Sequence, residues 1–129
     1  RDGEGAAYLP YCYPRNCVAY VGTHDNDTVQ GWLKNADPAD IAYAREYLPL
    51  AEDGNEHWAM MRTIWASVAD RAVVQMQDVL GLDSEARMNT PSTAGVNWRW
   101  RAEEGFDRPA LAARLHRQME LHGRLPEKE

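Results

Sequence analysis

A chain of 129 residues with 44% hydrophobic content is the size of one ordinary domain and carries enough apolar side chain for a core, which excludes wholesale disorder. Its 14 Lys and Arg against 20 Asp and Glu leave a formal charge of −6, and no basic stretch is long enough to track a phosphate backbone, which argues against nucleic acid and anionic membrane as partners. No apolar run approaches the length of a spanning helix, and RDGEGAAYLP is no signal peptide.

Arg1–Asn16, broken by Gly and Pro and holding Tyr8, Tyr11 and Tyr13, reads as a loop with a truncated beginning. Cys12 and Cys17 have no second pair beside them. Two cysteines make no disulfide framework, so a reducing, cytoplasmic setting is the default, with a Cys12–Cys17 bridge left open. Cys17–Gly22 carries β-branched and aromatic residues on both faces, as a strand buried on two sides of a mostly parallel sheet does. It runs straight into Thr23-His24-Asp25-Asn26-Asp27-Thr28.

Asp37-Pro38-Ala39-Asp40 starts a helix, with an acid at the cap, proline at the first helical position and an acid three residues on. This helix carries Ile41, Ala44 and Leu48 on one face and stops at Pro49. Glu52–Asn55 is a linker whose Asn55 is placed to cap the next helix. There Trp58, Met61, Trp65 and Val68 form one apolar stripe. Asp70-Arg71 interrupts, and Ala72–Met76 reads as a second strand that ends in Gln77 and Asp78.

After Gly81 the segment SEARMNTPSTAGVNWRWR is loop-like, although two Trp sit inside it. Asp107 then caps a helix lined by Leu111, Leu115 and Met119, which ends at Gly123. Strand, helix, helix, strand, long loop, helix is α/β grammar. Two strands do not make a stable sheet alone, so the chain either dimerises or is cut from something larger, and the second reading is favoured. The 5 Trp and 6 Tyr against 1 Phe give almost every ring a polar handle, which suits sugar sites and protein interfaces as well as a bulky core.

The charged run after the first strand is a poor metal site. Val29 falls at the third calcium ligand, Gln30 replaces the turn glycine, and Ala36 stands where the bidentate Glu belongs. His24 has no second His at helical spacing, so zinc fails too, and neither a metal nor a cofactor is expected. As chemistry the run does better, because α/β proteins place polar groups at the carboxyl ends of parallel strands. Asp25 there can stabilise a cation or accept sugar hydroxyls, with His24 beside it. The plainer alternative is an Asx-rich turn, which Asn26, Asp27 and Thr28 supply. Asn26-Asp27-Thr28 is also a glycosylation sequon, but nothing suggests secretion. Asp78 either faces the same cleft or ties down the loop after it. Asn89 is the ligand contact of choice in the long loop, since an amide offers a donor and an acceptor to one hydroxyl pair. His57, His116 and His122 read as surface residues of helices.

VAYVGTHDNDTVQGW, SVADRAVVQMQDVLGL and SEARMNTPSTAGVNWRWR, in this order and spacing, resemble the C-terminal part of the 4-α-glucanotransferases. These are the amylomaltases or disproportionating enzymes of glycoside hydrolase family 77, and the resemblance runs from about Tyr8 to Gly123. Gln75 stands where the family usually has proline, and Ser92 where it usually has glycine. The first bears on the strand end, the second on the backbone path of the substrate loop. The resemblance implies a C-terminal fragment of a (β/α)8 barrel spanning residues 1–129: the last two strand–helix units plus a C-terminal helix. Cys17–Gly22 would be the seventh strand and Ala72–Met76 the eighth.

It further implies retaining transglycosylation on maltooligosaccharides and on α-1,4-glucans derived from starch or glycogen, through a covalent glucosyl-enzyme. The family's nucleophilic Asp and acid/base Glu would lie upstream of Arg1. Asp25 matches the transition-state stabiliser, His24 the sugar-binding histidine, and Asn89 and Pro91 the loop lining the donor site. On this basis the chain alone is expected to be inactive, and to expose barrel-facing surface through which it self-associates. The competing expectation is a non-catalytic glucan-binding or interaction module.

Overall fold

The computed structural model describes residues 5–48 and 50–127. Short 3-10 turns at Gly5–Tyr8 and Pro10–Cys12 lead into β1 (Val18–Tyr20), followed by three helices: α1 (Val29–Asn35), α2 (Pro38–Tyr47) and α3 (Glu56–Trp65). Then come β2 (Arg71–Val73), the single turn α4 (Met76–Val79), a 3-10 turn at Ser84–Ala86 and α5 (Pro109–Leu121). The strands pair in parallel, Val18 opposite Arg71, Ala19 opposite Ala72 and Tyr20 opposite Val73, so α1 to α3 form the crossover that a parallel pair requires.

Both strands are shorter than the sequence suggested, and β1 is buried on one face only. Ala19 is buried, whereas Val18 and Tyr20 are exposed, as is Val73 on β2. The cause is that the helices cover a single face. Ala19 packs into a core with Trp58, Met61, Ile64 and Trp65 of α3, Ala69 and Val79, backed by Leu111, Leu115 and Met119 of α5. The α5 stripe therefore faces the core as its spacing indicated, and Arg114 on the same helix lays its guanidinium 3.9 Å above the Trp58 ring. The α3 stripe holds for three of its four members. Val68 is exposed because α3 ends at Trp65, before the stripe completes.

At the helix ends, Asp37 caps α2 by accepting from the Ala39 N–H at 2.8 Å, and Ile41, Ala44 and Leu48 are half-buried on one side. Pro49, read as the stop, lies outside the described residues. Asn55 occupies the cap position of α3, but its side chain makes no cap bond; its own N–H is drawn to the Asp53 carboxylate at 2.9 Å. Asp107 is not the cap of α5, because Arg108 takes that position ahead of Pro109. The helix does close at Gly123, with φ +63°. The N–H of Arg124 returns to the Met119 carbonyl at 2.8 Å and that of Gly123 to Glu120 at 3.3 Å. The Arg124 guanidinium then reaches the carbonyls of Trp65 at 2.8 Å and Ala69 at 3.0 Å, tying the end of α5 to the end of α3. Cys12 and Cys17 are both free.

α1 is the helix that the sequence reading did not anticipate, since Gly31 interrupts its pattern, and it changes the setting of His57. Instead of lying at the surface, His57 is 8% exposed, with Gln30 Nε2 of α1 3.0 Å from its Nδ1. Gly81 (φ +67°) closes the other side, where a Cβ would stand 2.9 Å from the ring. Burial pushes the imidazole pKa below its ordinary 6.5 and the Arg114 charge adds to this, against smaller opposite pulls from Glu56 and Asp53. The folded state thus prefers the neutral ring. That contribution to stability is complete above pH 6.5 and is lost as the pH falls below it, when the unfolded chain takes up the proton first. Urea midpoints measured from pH 7 down to about 5 are expected to fall more steeply in the wild type than in His57→Gln. His116 is exposed as read, and His122 is half-buried at the end of α5.

Candidate functional site

The segment after β1 is held by three of its own polar residues. Asn26 Oδ1 accepts from the Thr23 N–H at 2.8 Å and from its hydroxyl at 3.0 Å, while the Asn26 N–H returns to the Thr23 carbonyl at 3.0 Å. Asp27 accepts from the Thr28 N–H at 2.8 Å through one oxygen and from the Ser84 hydroxyl at 2.9 Å through the other. Thr28 caps α1 by accepting from the Gly31 N–H at 3.1 Å. Asn26, Asp27 and Thr28 are therefore the turn, as their residue types indicated.

Asp78 does not end a strand. β2 stops at Val73, and Gln75, with φ −85°, close to the range of proline, opens α4. Asp78 on that turn is 2% exposed and accepts from the Val29 N–H at 2.8 Å, so it ties down the start of α1 rather than the loop after it. Burial pushes its carboxyl pKa up and the charge of Asp27 does the same, while the Val29 N–H pulls it down.

His24 and Asp25 are the residues of the run whose side chains these turn bonds leave open. Their side chains are 55% and 48% exposed, with His24 Nε2 3.3 Å from Asp25 Oδ1. The loop after β2 comes to meet them. Asn89 Nδ2 donates to Asp25 Oδ1 at 2.8 Å, and the Asn89 N–H donates to the His24 carbonyl at 3.1 Å. Three of the four residues singled out by sequence thus form one hydrogen-bonded group, drawn from the segment after β1 and from the loop beyond the Ser84–Ala86 turn. Pro91 is exposed nearby and takes no part in these bonds. Ser92 adopts φ +61°, so the loop keeps a left-handed turn at the position where the resemblance called for glycine.

Two neighbours were missed. Trp98 sets its ring 5.0 Å from that of His24, tilted by 37°, and stands at φ +60° with its N–H on the Met88 carbonyl at 2.7 Å. No periodicity announces a loop tryptophan with left-handed backbone. Arg87 donates through Nη2 to the Asp25 carbonyl at 2.7 Å and through Nε to the Asn89 carbonyl at 2.9 Å. A groove of about 770 Å3 runs along β1 past Tyr13, Trp32, Leu48 and Met60, and neither His24 nor Asp25 lines it. Beyond the end of β1, a half-exposed carboxylate held by an amide has lone pairs left for a cation or for hydroxyl groups.

Comparison with known proteins bears on this arrangement. The family model described as 4-alpha-glucanotransferase matches residues 1–107. The 4-alpha-glucanotransferase of Clostridium butyricum is 44% identical over 91% of this chain, and that of Thermus thermophilus 42% identical over 96%. The chain spans 24% and 26% of their lengths. Among solved structures, the amylomaltase of Streptococcus agalactiae in complex with acarbose is similar over 92% of this chain and 24% of its own, with a TM-score of 0.85 and 32% identity. The parallel strand pair with its helical crossover is accordingly a small α/β unit of the kind found in part of a (β/α)8 barrel. With the family model covering most of its length, the chain belongs to the 4-α-glucanotransferases of glycoside hydrolase family 77.

Proposed function

We propose that the protein carrying this chain is a 4-α-glucanotransferase that moves α-1,4-glucan segments between maltooligosaccharides by a retaining double displacement, with Asp25 as the stabiliser of its transition states. The observation that carries the reading is the Asp25 carboxylate itself: half-exposed, fixed by Asn89 at 2.8 Å and adjoined by His24 at 3.3 Å, at the carboxyl end of a parallel strand. In a double displacement a carboxylate attacks the anomeric carbon while an acid protonates the departing glycosidic oxygen; a 4-hydroxyl then attacks the same carbon and releases the carboxylate. Both steps pass through positive charge on the sugar ring, which a fixed anion beside it stabilises.

On this reading the bond-making and proton-transferring carboxyl groups belong to the remainder of the protein, of which relatives suggest this chain is about a quarter. His24, Asn89 and Pro91 bind the donor sugar, the first two through hydroxyl contacts. Substrates would be maltooligosaccharides and glucans derived from starch or glycogen. The two free cysteines support a reducing, cytoplasmic location. Held alone, the chain exposes Val18, Tyr20 and Val73 together, which favours self-association.

Incubation with maltotriose tests the proposal. The full-length protein is expected to yield glucose together with longer maltooligosaccharides, and residues 1–129 alone to yield neither. Full-length protein that leaves maltotriose unchanged would overturn the activity. Disproportionation by the isolated chain would overturn the placing of the reacting carboxylates outside it.

A further inference from the structure

We propose that Arg87 is a positioning residue that sets the Asp25 carboxylate against Asn89 by clamping the two main chains together. The proposal rests on the reading of Asp25 given above. Asp25 follows β1 and Asn89 follows β2, so nothing local in sequence holds them in register. Their side chains meet through one bond, Asn89 Nδ2 to Asp25 Oδ1 at 2.8 Å, between two partly exposed groups, and a bond of that kind adds little rigidity in water.

Arg87 supplies what that bond lacks. Its N–H bonds back to the Ser84 carbonyl at 3.0 Å, which closes the 3-10 turn and anchors the residue. Ser84 is in turn held by Asp27 at 2.9 Å, within the turn that carries His24 and Asp25. From this base the guanidinium bonds the Asp25 carbonyl at 2.7 Å and the Asn89 carbonyl at 2.9 Å. These are the main chains of the same two residues whose side chains must meet.

Among the described residues no carboxylate lies within ion-pair distance of the Arg87 guanidinium, so it acts as a hydrogen-bonding spacer of fixed shape. Lysine, with one nitrogen on a flexible stem, does not reproduce two donors at a fixed separation. Arg87 is not assigned any contact with sugar; it acts on the reaction through the placement of Asp25.

The test uses the full-length protein and the variants Arg87→Lys, Arg87→Ala and Asp25→Asn, with maltotriose as substrate. Both Arg87 variants are expected to lower kcat by about 10–100-fold, the scale of a misplacement near 1 Å, with KM within about threefold of the wild type. Their thermal midpoints should stay close to that of the wild type, and added guanidinium ion at millimolar concentration should restore part of the kcat of Arg87→Ala but not of Arg87→Lys. Unchanged kcat in a folded variant, or a loss of kcat that merely follows a loss of folded protein, would overturn the proposal. A crystal structure of Arg87→Ala separates this from the Asp25 reading. If the Asp25–Asn89 contact survives there, the clamp is wrong. If it is lost, the clamp stands, and turnover of Asp25→Asn decides the role of Asp25 independently.

Discussion

Asp25→Asn in the full-length protein is expected to lower turnover by about 3 kcal/mol or more, roughly a hundredfold, with folding intact. The substitution keeps the shape of the side chain and an oxygen able to accept from Asn89 Nδ2, so the geometry of the bond now measured at 2.8 Å survives. Only the charge is removed. Because the Asp25 side chain is 48% exposed, that charge is not a buried partner whose loss would unfold the protein. Any loss of rate therefore reports on the reaction. Activity assays with maltotriose, paired with thermal melts, make the comparison. Turnover equal to the wild type would remove Asp25 from the mechanism and leave it as a surface acid.

Gly31→Ala has the largest expected effect on stability, although by propensity it should help. Alanine in place of glycine inside a helix is worth about 1 kcal/mol, and nothing in the backbone of α1 demands glycine there. The obstacle is space. A Cβ at Gly31 would lie 2.2 Å from Ser84 Oγ and 2.5 Å from Asp27 Oδ1. Neither atom yields freely, since Asp27 Oδ1 holds the Thr28 N–H and Ser84 Oγ is bonded to Asp27 Oδ2. Overpacking costs about 1–3 kcal/mol, and each broken hydrogen bond about 1 more. The clash wins, and a net destabilisation of about 2–4 kcal/mol is expected from chemical denaturation. The same change should reduce activity, because the displaced atoms hold the turn beneath Asp25. Ser84→Ala combined with Gly31→Ala opens room and should recover part of the stability; a Gly31→Ala protein as stable as the wild type would refute the account.

Much of the fold could be read from residues because the signals were local. Asp37-Pro38 announced its helix, and the spacing of Trp58, Met61 and Trp65 announced a core face, since each depends on a few neighbours. The errors arose where a tertiary partner decides. His57 looks like a polar helix residue until α1, hidden by Gly31, folds over it. At the site, His24, Asp25 and Asn89 were found from strand-end chemistry and from the family motif. Trp98 and Arg87 were not, because their roles depend on how one loop lies on another. Ser92 makes the same point from the other side. Its φ of +61° shows that the loop keeps a glycine-like path without glycine, at the cost of some backbone strain.

The parallel pairing of β1 with β2 has a consequence for how the site comes into being. Its decisive bonds, Arg87 to Asp25 and Asn89 to Asp25, join residues 62 and 64 apart in the chain, so neither can form by local search. The entropy of closing that loop falls due before any of these contacts returns energy, which places their formation late, after α1, α2 and α3 have condensed into the crossover. During synthesis the acid of the site leaves the ribosome well before the amide that orients it, and it waits as an ordinary surface turn until the second strand arrives.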